Sequence, residues 1–279
     1  MDLTPDECKK DSHTHKTSKL EVCSQDIPFA GLPTELSGKT AVQLSDFHRG
    51  CGNTDEIIQE AIHTANALEP DYIFVTGDFV DHKKQDILPI VRMVSGLRAR
   101  RGVFATLGNH DHRGDPLLLE SALEAAGITM LTNRALELEP GLWLAGVDDL
   151  YEGEPNLEAS LQKVPPDVAC ILLSHHPGAL DLVTKERPLT ILAGHTHGGQ
   201  IVLPFPTPEM VCWQHLRTRY VHGWFQRGAV RLYVNRGIGV TGWGPLARRF
   251  RCPPEVTWFR FVSMEEPENA MTYVVGQNR

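Results

Sequence analysis

Short apolar runs and amphipathic periods alternate along most of the chain. The apolar runs predict strands over 40–45, 72–76, 103–107, 128–131, 136–139, 142–147, 168–173, 189–193, 232–235 and 256–261. Between the first two runs, Ile58 and Ala65 share one helical face, in a helix that a capping box at Asn53 and Glu56 begins and Pro70 ends. The other predicted helices are 86–99 and 115–127.

The alternation of strands and helices predicts an α/β fold, and the additional hairpins make it a layered mixture of parallel and antiparallel strands. Residues 1–36 show no sustained period, so they are predicted to form a polar N-terminal tail. Residues 37–263 contain no repeat, low-complexity segment or linker that would divide them, so they predict one domain. Residues 264–279 are assigned to a C-terminal tail.

Composition narrows the class of protein. Hydrophobic residues make up 41% of the chain and charged residues 22%, which is typical of a soluble globular protein. The net charge of −8 argues against general nucleic-acid binding. The N-terminus has no apolar core behind a basic start, and the longest stretch without a charged residue, 188–208, contains four prolines. With six scattered cysteines, these features predict a cytoplasmic protein without a transmembrane segment.

Side chains that commonly bind metals follow five predicted strands, at the point where each strand ends. They lie in the runs Asp46-x-His48, Gly77-Asp78, Gly108-Asn109-His110-Asp111, His175 and Gly194-His195-x-His197. Ligands of open α/β sheets gather beyond the carboxyl ends of strands, so these side chains are expected to face one cleft. Carboxylate, amide and imidazole donors favour Mn, Fe or Zn over Ca, and a carboxylate can bridge two such ions.

Simpler interpretations exist for single segments. A lone Asp-x-His or His-x-His is more often structural, but seven potential ligands at five strand ends favour a metal centre. Gly237-x-Gly239-x-x-Gly242 matches a dinucleotide fingerprint, yet it runs into Trp243 rather than a helix, so a loop beside the cleft is favoured. The chain has no G-x-S-x-G motif for a serine hydrolase.

Taken in order, these runs resemble the D-x-H, G-D, G-N-H-D/E, H and G-H-x-H blocks of the calcineurin-like metallophosphoesterase superfamily, over roughly 40–261. The resemblance implies a four-layer α/β/β/α sandwich of two mixed sheets flanked by helices. It also implies a phosphodiesterase or pyrophosphohydrolase that uses two divalent metal ions, Mn, Fe or Zn. The runs 235–242 and 251–255 are similar to a bacterial, often membrane-associated branch.

The resemblance further implies a role for each residue. One metal ion would be held by Asp46, His48, Asp78 and His197, and the other by Asp78, Asn109, His175 and His195. Asp78 would bridge the ions, a hydroxide between them would attack phosphorus in line, and His110 would assist the leaving group. Asp81 would orient His110, whereas His82 replaces the phosphate-gripping Arg of related protein phosphatases. The alternative is a catalytically weak metal-binding scaffold, which the complete set of ligands disfavours.

The last quarter of the chain is basic and aromatic. Residues 201–261 hold nine Arg and two acids, a balance of +7, whereas 1–200 hold 17 basic and 30 acidic residues, a balance of −13. The predicted substrate-binding residues are Asn109, His110, Arg217 and Arg219. Substrates left open are lipid-linked diphosphates, phospholipids, cyclic nucleotides and nucleotide diesters or diphosphates. A cap over 202–225, with Trp213, Trp224 and Phe225 on its rim, predicts peripheral contact with an anionic membrane, in bacteria the inner one.

Overall fold

The computed structural model describes residues 20–52, 54–183, 187–244 and 247–264. The predicted cap at Asn53 and the outer parts of both predicted tails, 1–19 and 265–279, lie outside these residues. The described residues fold into two mixed sheets of six strands each, with helices on the outer faces. The predicted four-layer α/β/β/α sandwich is confirmed.

The first sheet contains β1 (Glu21–Ala30), β2 (Thr40–Leu44), β3 (Tyr72–Thr76), β4 (Gly102–Thr106), β5 (Ile128–Met130) and β12 (Glu255–Met264). Their spatial order is β1-β12-β2-β3-β4-β5. β2 to β5 are parallel to one another, whereas β12 is antiparallel to β2. The carboxyl ends of β2, β3 and β4 therefore lie at the same edge of the sheet.

The second sheet contains β6 (Arg134–Glu139), β7 (Leu142–Gly146), β8 (Ala169–Leu173), β9 (Leu189–Ala193), β10 (Gly223–Arg227) and β11 (Val230–Val234). Their spatial order is β10-β11-β9-β8-β7-β6. The four central strands are parallel and the two edge strands are antiparallel to their neighbours. The hairpin of β6 and β7 turns at Pro140-Gly141.

The helices are α1 (Asp55–Ala67), α2 (Ile87–Val94), α3 (Asn109–Arg113), α4 (Pro116–Ala125), α5 (Leu157–Leu161), α6 (Ala179–Leu182) and α7 (Pro208–Leu216), with 3-10 turns at Thr34–Leu36, Lys84–Asp86 and His197–Gly199. α4 begins as predicted, because the Asp115 carboxylate accepts from the backbone N–H of Leu118 at 3.0 Å. None of the helices among the described residues has the length and apolar character needed to cross a bilayer.

Three apolar layers hold the sandwich together. Alternation along β2 sends Val42 and Leu44 to the layer under α1, α2 and α4, and Ala41 to the layer between the sheets. The third layer lies between the second sheet and α6. Polar side chains also join the sheets: buried Gln43 of β2, for example, donates to the carbonyl oxygen of Ala193 in β9 at 2.9 Å.

The predicted N-terminal tail is wrong for residues 21–36. Residues 21–30 form β1, which pairs in parallel with β12 at the edge of the first sheet. Cys23, Ile27 and Phe29 are buried on one face, but polar Gln25 interrupts the apolar alternation on that face and Pro28 is a residue that strands disfavour. An edge strand tolerates Pro28 because one side of its ladder needs no hydrogen-bond donor. The strand is stabilised by a partner more than 200 residues away, which no local pattern reveals.

Candidate metal centre

All seven predicted ligands lie beyond the carboxyl ends of parallel strands. Asp46 and His48 follow β2, Asp78 follows β3, Asn109 follows β4, His175 follows β8, and His195 and His197 follow β9. The two sheets bring these strand ends together around one cleft of about 590 Å³. Five of the seven line the cleft, and Asp46 and His175 lie fully buried beside them.

Asp46, His48 and His197 form the first ligand group. The Asp46 Oδ1 atom lies 3.8 Å from Nε2 of His48 and 3.4 Å from Nε2 of His197. The two ring nitrogens are 2.9 Å apart. The candidate ligand atoms of the three residues lie within 4.8 Å of one another, which is the spacing of donors around one ion.

His175, Asn109 and His195 form the second ligand group. His195 Nδ1 lies 3.0 Å from Oδ1 of Asn109 and 3.1 Å from Nε2 of His175. Nδ1 of His175 is 2.7 Å from the Thr76 carbonyl oxygen, which can only accept, so Nδ1 carries the proton and Nε2 offers its lone pair to the cleft.

Asp78 lies between the two groups. Its Oδ2 atom is 3.2 Å from Nε2 of His48 in the first group and 3.2 Å from Nε2 of His175 in the second. The other carboxylate oxygen accepts from the backbone N–H of His110 at 2.8 Å. Asp78 therefore contacts imidazoles of both groups, and the Asp46 carboxylate also accepts the backbone N–H of His195 at 3.1 Å.

The charges of the site suit cations. Burial opposes the ionisation of Asp78, but His175 and His48 outweigh burial and hold its pKa well below the usual range. The pKa of Asp46 is lowered too, because the effect of His197 and His48 exceeds that of burial. Burial holds the pKa values of His195 and His197 well below their usual range, so both rings are neutral donors. Burial opposes the charge of His48 and His175, but Asp78 outweighs burial and raises both pKa values, so a bound cation would replace the Nε2 protons of these rings. Ionised carboxylates together with imidazole nitrogens fit divalent transition metals.

The backbone is also unusual at these ligands. Five of them have positive φ values, which residues other than glycine seldom adopt: Asp46, His48, Asp78, His195 and His197. They account for five of the ten non-glycine residues with positive φ among the described residues. Such conformations cluster at functional sites, where the surrounding structure must compensate for them.

A loop of glycines provides part of that support. Gly239 donates its N–H to the carbonyl oxygen of Asp46 at 2.7 Å, and a Cβ on Gly237 would lie 2.6 Å from Cβ of Asp46. The Gly237–Gly242 run is therefore the loop beside the cleft that the sequence predicts. Arg249, which sequence analysis missed, donates to the Gly239 carbonyl oxygen at 2.8 Å and lies 3.2 Å from Nδ1 of His197.

His110 and Asp81 lie beside the ligands. Nδ1 of His110 is 2.5 Å from the carbonyl oxygen of Asp81 and 3.3 Å from its carboxylate. The carbonyl oxygen accepts the Nδ1 proton, so Nε2 is the ring atom that remains for chemistry in the cleft. Burial opposes the charge of Asp81, but hydrogen bonds from His110 and His48 hold its pKa well below the usual range. The predicted pairing of these residues is present in the structure.

Asp111 has a role that sequence analysis did not assign. Its buried carboxylate accepts four backbone N–H groups, from Asp78, Phe79, Val80 and Gly108, at 2.8 to 3.1 Å. Burial and the Asp78 charge raise the pKa of Asp111 to about 6 despite these donors. The side chain ties the loop after β3 to the loop after β4. The sequence feature that could have identified Asp111 is its position in the Gly108–Asp111 run.

We expect Asp111→Ala to lower the free energy of unfolding by about 3 kcal/mol or more, since it leaves four buried N–H groups without an acceptor. The matched control is Asp115→Ala, which removes the cap of α4 and the surface ion pair with Lys84 and should cost about 1 kcal/mol. Urea unfolding followed by circular dichroism measures both. Equal losses for the two variants would contradict the assigned role of Asp111.

The two predicted substrate arginines occupy different places. Arg217 lies at the carboxyl end of α7 and lines the metal cleft, together with His215 and Leu216. Arg219 lies outside the cleft lining, with its guanidinium 5.3 Å from the ring centre of Tyr220 and 3.9 Å from Asp181. Of these two arginines, therefore, only Arg217 lines the cleft that contains the metal ligands.

The predicted aromatic rim is partly wrong. Trp213 is exposed, but Trp224 packs against Tyr233 and Phe259, and its Nε1–H donates to Gln25 at 3.0 Å. Phe225 packs against Tyr220. Trp224 and Phe225 belong to β10, a strand that the sequence pattern did not predict. Phe259 and Phe261 of the last strand are core residues.

The comparison of this chain with protein families agrees with the geometry. Residues 39–199 match the family model described as calcineurin-like phosphoesterase. The chain belongs to the calcineurin-like phosphoesterase family. Members of this family are metal-dependent enzymes, and the ligand groups described above are candidate metal-binding residues.

Several curated proteins are similar over most of the chain. The uncharacterized metallophosphoesterase YkuE of Bacillus subtilis is 35% identical, over 88% of this chain and 86% of the relative. Phosphodiesterase YaeI of Escherichia coli is 29% identical, over 78% of this chain and 80% of the relative. The uncharacterized metallophosphoesterase Cj0846 of Campylobacter jejuni is 31% identical, but the chain spans only 62% of its length. These relatives agree with the bacterial character of the resemblance.

Proposed function

We propose that this metallophosphoesterase hydrolyses phosphodiester or pyrophosphate bonds with two divalent cations held around Asp78. The observation that carries the proposal is the contact of Asp78 with both ligand groups, 3.2 Å from His48 and 3.2 Å from His175. Asp46, His48, Asp78 and His197 would hold one cation, and Asp78, Asn109, His175 and His195 the other. The donor set suits Mn, Fe or Zn.

When bound, such a pair of cations supplies a hydroxide nucleophile at neutral pH and stabilises charge on the phosphoryl oxygens. The side chains of the cleft supply the remaining catalytic groups. His110 reaches the leaving group through Nε2, because its Nδ1–H is held by the Asp81 carbonyl oxygen. The Asp81 carboxylate, 3.3 Å from the same ring nitrogen, stabilises the positive charge that His110 carries when it acts as a general acid.

The mouth of the cleft selects for anions and leaves room for two substituents. Arg217 provides a guanidinium, which pairs with phosphate oxygens through two parallel hydrogen bonds. Tyr151 and the ion pair of Arg113 with Glu152 lie in the cleft lining too. A monoester needs only one subsite, so an open cleft with several lining groups favours diesters and pyrophosphates. The name of phosphodiesterase YaeI points to the same class of substrate.

The test is hydrolysis of bis(p-nitrophenyl) phosphate by protein loaded with Mn²⁺, together with elemental analysis. We expect about two transition-metal ions per chain and hydrolysis that an excess of chelator abolishes. Full activity in chelator, with less than one ion per chain, would refute the two-cation proposal. Bound metal without hydrolysis of any diester or pyrophosphate would instead favour the metal-binding scaffold as the second candidate.

A further inference from the structure

Large apolar side chains are exposed beside the mouth of the cleft. Eleven large hydrophobic residues are exposed among those that the structure describes, and six of them fall within 203–250. We call these six the apolar rim: Leu203, Phe205, Met210, Trp213, Trp243 and Phe250. Phe205, Trp213 and Trp243 keep 76%, 66% and 81% of their surface exposed. Exposed apolar residues concentrated in this way mark an interaction surface.

Hydrogen bonds hold the segments of the apolar rim together at the cleft. Phe250 and Val202 are paired through the 2.9 Å bond from Val202 N–H to the Phe250 carbonyl oxygen. Gln200 exchanges two side-chain hydrogen bonds of 2.9 Å with the backbone of Thr241, two residues before Trp243. Gln200 and Thr241 themselves line the metal cleft. The rim therefore borders the site.

Helix α7 has one face toward the cleft and one face in the rim. Val211, Cys212 and His215 line the metal cleft. Met210 and Trp213 lie on the other face and line a separate groove with Pro206 and Gln214. Arg217 lines both the cleft and the groove. The helix is thus a wall with the metal ligands on one side and an exposed apolar groove on the other.

Hydrogen bonds attach the carboxyl end of α7, and the segment that follows it, to the rest of the enzyme. The backbone N–H of Gly178 donates to Nδ1 of His176, so Nε2 of His176 carries the proton that it donates to the Leu216 carbonyl oxygen at 3.3 Å. The Tyr220 hydroxyl donates to Asp181 at 2.8 Å. These bonds fix the carboxyl end of α7, the helix that carries Met210 and Trp213 of the apolar rim.

The charge around the rim selects an anionic partner. Residues 200–251 contain eight Arg and one acid, Glu209, whereas residues 1–200 have a balance of −13. Arg217, Arg248 and Arg251 are exposed, and the guanidinium of Arg251 lies 5.5 Å from the ring centre of Phe250. A symmetric contact between two copies of this face would bring both basic surfaces together and is disfavoured. Exposed Trp and Phe among arginines suit the boundary between lipid headgroups and acyl chains.

We propose that the apolar rim docks the enzyme on an anionic lipid bilayer. Phe205, Trp213 and Trp243 enter the acyl boundary, and the exposed arginines contact the headgroups. Docking in this orientation sets the mouth of the metal cleft at headgroup depth. On the proposed function, which this step assumes, the favoured substrates are phosphoesters carried by lipids at that surface.

The test measures docking without turnover. Wild-type protein is sedimented with vesicles of phosphatidylglycerol or of phosphatidylcholine, at 0.1 M and 1 M salt. We expect binding to phosphatidylglycerol that falls with salt, as the Debye length shortens from about 10 Å to about 3 Å. The double variant Phe205→Ala, Trp213→Ala should bind at least about tenfold more weakly. The matched control is Leu88→Ala with Leu117→Ala, which removes two leucines, 59% and 76% exposed, from α2 and α4.

Several results would overturn the docking proposal. They are equal binding to both lipids, a rim variant that binds like wild type, and a control variant that loses as much affinity. A dimer in analytical ultracentrifugation that the rim variant abolishes would overturn it too, since the rim would then contact a second copy. Circular dichroism checks that both double variants fold. Vesicle binding without hydrolysis of any phosphoester would refute the proposed function and leave the docking surface intact.

Discussion

Asp78→Asn is expected to lower the rate of bis(p-nitrophenyl) phosphate hydrolysis by several orders of magnitude. The variant removes the negative charge that lies 3.2 Å from both His48 and His175, so both cations lose a shared ligand. The amide oxygen of Asn can still accept the His110 N–H, as Asp78 Oδ1 does at 2.8 Å, so the loop keeps its conformation. Elemental analysis should find fewer than two ions per chain.

The matched control is Asp71→Asn, the same substitution at the other end of β3. Asp71 is buried and accepts the Thr40 N–H at 2.9 Å, but it lies at the amino end of the strand, away from the cleft. Its hydrolysis rate and metal content should remain close to those of wild type. If Asp78→Asn retained both metals and wild-type turnover, Asp78 would not be the bridging ligand.

His110→Ala is expected to retain metal and to lose roughly 10²–10⁴-fold in turnover, which is the usual contribution of a general acid or base. The metal is expected to be kept because Nδ1 of His110 is bonded to Asp81, although the His110 ring also makes an edge contact with that of His48, their centres 4.6 Å apart. The loss should be smaller for p-nitrophenolate, which leaves without protonation, than for an alkoxide leaving group. Steady-state rates on a pair of such diesters measure the difference.

His63→Ala, on the exposed face of α1, controls for the loss of an imidazole and should leave both substrates unaffected. A second variant, Asp81→Asn, should move the rates in the same direction as His110→Ala but by less, since the Asp81 carbonyl oxygen still holds the ring. An equal loss for good and poor leaving groups would mean that His110 binds phosphate and does not donate a proton.

Much of the site could be predicted from the sequence, because its residues follow strands directly. The apolar run of β3 ends in Gly77-Asp78, and that of β9 ends in Gly194-His195-x-His197. The position of a strand in a parallel sheet largely fixes where the side chain at its carboxyl end lies. The apolar pattern of the strands, together with the rule that ligands bind at their carboxyl ends, is therefore sufficient to predict these site residues. The same reasoning predicted most of the central strands, whose apolar runs are continuous because both of their faces are buried.

Features that depend on contacts between distant parts of the chain were decided only by the tertiary structure. β1 was missed because its pairing with β12 joins residues more than 200 positions apart, as the Arg260 to Asp26 hydrogen bonds do. Arg217 and Arg219 look alike in the sequence, yet one turn of backbone after α7 directs Arg217 to the cleft and Arg219 to Tyr220. Trp213 of α7 is exposed, whereas Trp224 of β10 packs against Tyr233 and Phe259. Residue type and spacing thus determined the chemistry of the centre, whereas the packing of the two sheets and α7 decided which side chains surround it and which face outward.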